Sequence, residues 1–223
     1  KDGSDEAIVR SRMNLIKKLR ANPSDVVYGQ YSAGRINGVD AVGYREEDFV
    51  APRSQTDTFF AMKARIASNR FEGVPIYIRA GKQIETWVTE ISYVFKTPKF
   101  GDNVLTVRVQ PNEGIAFKIL TKKPGYEKVH ENTLMQFCYK HYFSGQTFDA
   151  YEKLIQDAFS GRHTSFNVSE EIEAQWKFID PLSNKRTPVK LYPAGSWGPK
   201  ASYDLLKRDG RTWIEPYPAF CQI

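Results

Sequence analysis

Residues 76–87 read "IYIRAGKQIETW". Apolar residues alternate up to Ile78, and the chain then runs through Arg79-Ala80-Gly81-Lys82. Alternation with period two marks a strand that turns one side to a core. A second alternating run, residues 87–96 "WVTEISYVFK", follows almost at once. So short a connection favours antiparallel neighbours, because parallel strands need a crossover of about a dozen residues or more.

The same pattern extends outward in both directions. Residues 103–109 "NVLTVRV" alternate, and residues 113–120 "EGIAFKIL" place Ile115, Phe117 and Ile119 on one face. Upstream, residues 26–31 "VVYGQY" look extended. From Thr56 to Ala67 the pattern puts Phe60, Met62, Ala64 and Ile66 on one side and Phe59, Lys63 and Arg65 on the other. Residues 32–56, with Gly34, Gly38, Gly43 and Pro52, read as a long loop.

Helical spacing appears at both ends. Residues 5–20 carry Val9, Met13 and Ile16 one turn apart, with Ser4 as N-cap and Asn22-Pro23 as a stop. Three further helices are expected. Residues 148–160 carry Tyr151, Leu154, Ile155 and Ala158, and residues 168–179 carry Ile172, Trp176 and Ile179. Residues 199–209 open at Pro199 and stop at Gly210. A run of strands followed by a run of helices predicts an α+β fold: a large, mainly antiparallel sheet with helices packed on one face. No stretch reads as a linker, so residues 1–223 are read as one domain.

Charge bounds the partners. The chain has 223 residues, a formal net charge of +6 and a pI near 9.2. A basic balance attracts anions, either nucleic acid or a phosphorylated metabolite. The cations are interleaved with 26 acids, and no zinc-finger spacing, RNA-recognition signature or basic-region heptad is present. Nucleic acid is therefore not an expected partner. Nor is a membrane, since no run of ~18 apolar residues occurs and "KDGSDEAIVRSR" lacks the form of a signal peptide. Cys138 and Cys221 stand far apart and read as reduced thiols of a cytosolic compartment, with one disulfide as the alternative.

The chain carries no recognisable catalytic constellation. It has no glycine-rich nucleotide fingerprint, phosphate-binding loop or Gly-x-Ser-x-Gly, and no metal-ligand cluster. His130, His141 and His163 lack ligand spacing. No catalytic residue and no metal site are expected in this chain.

Five segments do carry a resemblance. Phe71-Glu72-Gly73-Val74-Pro75-Ile76-Tyr77-Ile78-Arg79-Ala80-Gly81-Lys82 resembles the "W-x-G-V-P-x-x-x-R-x-G-K" signature of glucose-6-phosphate dehydrogenases. Arg108-Val109-Gln110-Pro111-Asn112-Glu113 resembles that family's "R-V-Q-P-N-E". Residues 149–157 are similar to its "D-A-Y-E-R-L-I-x-D". Tyr192 with Gly195-Ser196 and Gly198-Pro199 fits "Y-x-x-G-S-x-G-P", and Gly210 with Trp213 fits "G-x-x-W". The segments keep their order over roughly residues 7–216.

The resemblance implies the C-terminal α+β domain of an NADP-dependent enzyme that oxidises glucose 6-phosphate to the 6-phosphogluconolactone in the pentose phosphate pathway. The family's NADP-binding Rossmann domain, its Asp-His-Tyr-x-Gly-Lys motif and its catalytic Asn-His lie upstream of the matched region, and this sequence contains none of them. The chain alone is therefore expected to be inactive. The runner-up reading is a non-enzymatic assembly or binding module of the same fold.

Site residues follow from the same resemblance. Lys82 maps to the lysine that contacts the substrate phosphate. From the residues alone, a solvated turn lysine is the simpler reading, and the resemblance reverses it. Gly81 is expected to let the turn approach the anion. Where the family usually has a second cation, five residues on, this chain has Trp87. Gln110 maps to a glutamine near the sugar, although a strand-end glutamine bonded to backbone fits the residues equally well.

Arg79, Arg108 and Lys118 occupy positions of a second NADP found in some members. Val88, Ser92 and Trp197 replace cations of that site, so no tight second NADP is expected. The family further implies a cytoplasmic homodimer or tetramer joined through the sheet, with Phe59, Phe60, Trp87 and Tyr93 offering contact area.

Overall fold

The computed structural model describes residues 4–96, 103–126, 129–143, 150–184, 187–218 and 220–221. In chain order the elements are α1 Asp5–Ile16, β1 Leu19–Ser32, β2 Gly34–Ile36, β3 Val39–Ala41, β4 Phe59–Ile66 and β5 Ile76–Gly81. Then come β6 Thr89–Val94, β7 Val104–Gln110, β8 Gly114–Lys122, β9 His130–Cys138 and the short α2 Tyr139–Tyr142. The chain continues with α3 Ala150–Phe159, α4 Ser169–Ser183, β10 Lys190–Pro193 and α5 Lys200–Lys207. The backbone groups into two compact units, Lys1–Thr86 with Phe148–Trp213, and Trp87–Thr147 with Ile214–Ile223.

The first unit is built on a four-stranded sheet in the order β10-β1-β4-β5. Its pairs are antiparallel except β1 with β10, which run parallel. Opposite residues share a face, so Val26, Tyr28, Phe60, Met62 and Ile78 point one way. Phe178, Ile179 and Leu182 of α4 pack on that side. The other side holds Ala61, Phe59 and Arg79, with Tyr31, Tyr192 and Trp213 in the same core. The α+β class read from the sequence stands. Its helical cover is α4 on one face, and α5 begins beside Pro199, whose ring lies near Gly29 and Phe59 of the other.

Two boundaries differ from expectation. Helix α1 ends at Ile16 rather than near residue 20, because Leu19, Arg20 and Ala21 are taken up in pairing with Ile66, Arg65 and Ala64. Asn22-Pro23 does not follow a helix. It falls in the register shift between Ala21 and Val26, where a residue without an N–H costs the ladder nothing. Helix α4 runs to Ser183 through Pro181, carrying Leu182 into the core at 4% exposure.

The second unit is an antiparallel four-stranded meander, β6-β7-β8-β9. One face carries Thr106, Ala116 and Gln136 in one row and Arg108, Gly114 and Cys138 in the next. Val104, Thr106 and Ala116 are fully buried there. The C-terminal segment crosses this face. The Cys221 N–H donates to Gln136 Oε1 at 3.2 Å, and the Arg108 guanidinium lies 4.2 Å from the Phe220 ring centre.

Cys221 is disulfide-bonded to Cys138, with Cα atoms 5.5 Å apart. The reduced-thiol reading is thus overturned: sequence separation hid that the tail returns to the end of β9. The opposite face stacks Ile91, Val107, Ile115 and Phe137 in one row and Tyr93, Leu105, Phe117 and Met135 in the next. Several of these are well exposed, including Ile91, Tyr93, Ile115 and Met135.

Candidate functional site

Lys82 follows directly on β5. Its N–H donates to the Thr58 carbonyl at 2.8 Å. Its own carbonyl accepts from the Tyr192 hydroxyl at 2.6 Å. Both backbone groups of the residue are therefore tied to the sheet, while its side chain is exposed. The next residue, Gln83, has φ +50°, and its carbonyl accepts from the Gly195 N–H at 2.8 Å.

Tyr192 is 1% exposed on β10. A phenol has one proton to give, and the short contact assigns it to the Lys82 carbonyl. The Thr58 hydroxyl, 3.2 Å away, completes the phenol oxygen, and Thr58 Oγ1 in turn accepts from the Tyr31 N–H at 3.1 Å. Burial raises the Tyr192 pKa above the ordinary phenol value, so it stays a donor across the physiological range.

Gly81 is required here by close packing. Its backbone is not left-handed. A Cβ there would sit 2.7 Å from Phe59 Cδ2 and 2.9 Å from Ile84 Cγ2. The glycine makes room for Phe59, which packs under the turn. Gly195 is required more strictly: at φ +85°, a Cβ would fall 1.8 Å from the Arg35 carbonyl oxygen.

Gln110 lies in the second unit, at the end of β7 and exposed, where its Nε2 donates to Thr89 Oγ1 at 3.2 Å. The three second-nucleotide candidates divide likewise. Arg79 belongs to the first unit, where its guanidinium lies between the Trp197 and Trp213 rings, 4.6 Å from each centroid. Arg108 and Lys118 belong to the second and share the tail-covered face. Arg108 is 7% exposed. Its Nε and Nη2 donate to Glu90 Oε2 at 3.2 and 3.0 Å, and Nη2 also donates to the Tyr217 carbonyl at 3.3 Å. Lys118 is half-buried opposite Val104 and Leu134.

Two of the three replaced positions make contacts of their own. Trp197 stacks on Arg79, and Ser92 Oγ bonds Thr106 Oγ1 at 2.9 Å. Trp87 is 71% exposed. Phe59 is 3% exposed in the core of the first unit, so it offers no contact area to a partner, and Phe60 is half-buried. The sequence reading assigned no role to Thr58, Tyr192 or Gly195. The Tyr192–Gly195 spacing was visible, but the return of β10 beside β1 that brings it under Lys82 was not.

Comparison with known proteins bears on this arrangement. Residues 1–214 match the family model described as "Glucose-6-phosphate dehydrogenase, C-terminal domain". A glucose-6-phosphate 1-dehydrogenase of Chlamydia trachomatis is 36% identical over 95% of this chain and 52% of its own length. One of Treponema pallidum is 38% identical over 85% of the chain and 40% of its own length. A solved glucose-6-phosphate dehydrogenase in complex with its substrate glucose-6-phosphate superposes with a TM-score of 0.85 at 29% identity, over 96% of this chain and 46% of that one. The Mycobacterium avium enzyme gives a TM-score of 0.82 at 25% identity, over 97% and 46%. The chain spans about half the length of the relatives it matches. It belongs to the family of glucose-6-phosphate dehydrogenase C-terminal domains.

Proposed function

We propose that this chain is the substrate-side and assembly part of an NADP-dependent glucose-6-phosphate dehydrogenase, working in the pentose phosphate pathway. The observation that carries the reading is Lys82: an exposed ammonium on a backbone tied at both its N–H and its C=O. A phosphate monoester carries close to two charges near neutral pH, and a lysine engages it as a point charge through charge-assisted hydrogen bonds. Gln110, at an exposed strand end, would bond sugar hydroxyls with an amide that both donates and accepts.

NADP would bind mainly outside this chain, as would the base that takes the proton when hydride leaves C1 of the sugar. The residues here bind and orient; none moves the hydride or the proton. Arg79 and Arg108 would offer a second NADP little, since indoles flank one guanidinium and Glu90 with Phe220 engages the other.

The exposed apolar rows on the second unit's sheet suit a second copy of the chain, giving a homodimer or a tetramer. Trp87 and Tyr93 lie in that unit, both exposed. A cytoplasmic setting rests on the family alone, because the Cys138–Cys221 bond removes the free-thiol argument. The assembly-module alternative draws on the same apolar face.

Mixing the isolated chain with glucose 6-phosphate and NADP should give no NADPH by absorbance, while the full-length protein turns over. Robust turnover by the isolated chain contradicts the reading. A full-length protein that binds a partner copy but shows no dehydrogenase activity favours the assembly module.

A further inference from the structure

We infer that Tyr192 is a positioning residue for substrate binding: its buried hydroxyl sets the Lys82 backbone at the height at which the ammonium meets a phosphate monoester. The inference rests on the reading of Lys82 as the phosphate-binding residue.

Three features of the site support it. Lys82 lies one residue beyond the ladder, whose last pair is Phe59 with Gly81, so the sheet itself does not hold its carbonyl. The bond that does hold it comes from Tyr192, 110 residues later, at 2.6 Å from a side chain 1% exposed. The phenol is itself oriented. Its ring packs against Phe59 at 5.4 Å between centroids, and Thr58 Oγ1 stands 3.2 Å from its oxygen. A short, fixed donor on the carbonyl of an exposed lysine is poorly explained by core packing alone, which a phenylalanine ring at Tyr192 would supply as well. Substrate groups need to be held to fractions of an ångström for full binding.

The test uses the full-length protein and the variants Tyr192→Phe, Lys82→Ala and their combination. Tyr192→Phe keeps the ring and removes only the donor. KM for glucose 6-phosphate should rise roughly three- to tenfold, the size of one weakened charge-assisted hydrogen bond. The kcat at saturation, the KM for NADP and the slow oxidation of unphosphorylated glucose should stay at wild-type values. In the Lys82→Ala background the added Tyr192→Phe change should have no further effect on KM. Thr58→Val, which removes the hydroxyl beside the phenol, should shift KM the same way by less.

Equal damage to glucose and glucose 6-phosphate, an unchanged KM, or additive effects in the double variant would each overturn the inference. So would failure of both Tyr192→Phe and Thr58→Val to fold, since the network would then be holding the domain itself. If Lys82→Ala is silent, the underlying reading of Lys82 falls instead.

Discussion

The Arg12 guanidinium and the Glu171 carboxylate, 159 residues apart, meet in two parallel hydrogen bonds of 2.9 and 3.0 Å. The same guanidinium donates to the Thr164 and Phe166 carbonyls at 2.7 and 2.9 Å, and Glu171 Oε2 accepts from the Val168 N–H at 3.2 Å. One ion pair thus joins α1 to the start of α4 and to the loop before it. Glu171 is 1% exposed, while Arg12 is about a third exposed.

Glu171→Gln should therefore destabilise the chain by about 1–2 kcal/mol, the lower part of the range for bonds to charged groups because Arg12 is partly screened by solvent. The hydrogen bonds from Arg12, more than burial opposes, hold the Glu171 carboxyl below the ordinary glutamate pKa. A depressed folded-state pKa gives stability that is complete above the unfolded value and lost as pH falls through the folded one. Urea midpoints measured from neutral pH into the acid range should fall less steeply for Glu171→Gln than for wild type. Parallel curves would show that the pair contributes no pH-dependent stability.

The Cys138–Cys221 bond closes a loop of 83 residues and fastens the tail beside Arg108, Gly114 and Gln136 of the sheet. Cys138→Ser should lower stability by roughly 2–4 kcal/mol. Hydrogen exchange should quicken in β7 and β8 while α4 and β1 keep their protection. Uniform loss of protection would mean that the tail supports the whole chain and not this sheet alone.

On the exposed side of the same sheet, Ile115 lies between Val107 and Phe137. On the proposal that these rows join two copies, the wild-type protein should sediment as a dimer and Ile115→Glu, which places a charge in the middle of the rows, as a monomer, with little change in secondary structure by circular dichroism. Unchanged dimers would move the assembly surface elsewhere.

Arg79 lies between Trp197 and Trp213, and Trp213 Nε1 also donates to the Ser202 carbonyl at 3.2 Å. Adding NADP to the isolated chain should leave its Tm unchanged, because a ligand raises the Tm of the folded state only when its concentration approaches or exceeds its Kd. A rise that Trp197→Ala abolishes would contradict the expectation of no tight second site.

The strands were legible wherever side chains alternate against a core, as in β4, β5, β7 and β8. Strand β9 was not: His130 to Thr133 is polar throughout, and its pairing with Ile119 to Lys122 is made by backbone. The two leading residues of β1 read as helix because Leu19 continues the α1 spacing, whereas pairing with Ile66 decides their state. Lys82 was singled out through its motif, and it stands on the turn directly after β5. Its support was illegible, because Tyr192 reaches it only through the parallel return of β10, a long-range contact that no local pattern announces. The Cys138–Cys221 pairing was hidden for the same reason.

The most direct test of the central claim is the KM for glucose 6-phosphate of the Lys82→Ala variant in the full-length protein, compared with its oxidation of unphosphorylated glucose. Loss of a charge-assisted hydrogen bond worth roughly 1.5–3 kcal/mol corresponds to about a ten- to hundredfold rise in KM. The account predicts that rise for glucose 6-phosphate, a nearly unchanged KM for NADP, and glucose oxidation at the wild-type rate. Equal impairment with glucose and glucose 6-phosphate would contradict it, since Lys82 would then hold the turn and not the phosphate.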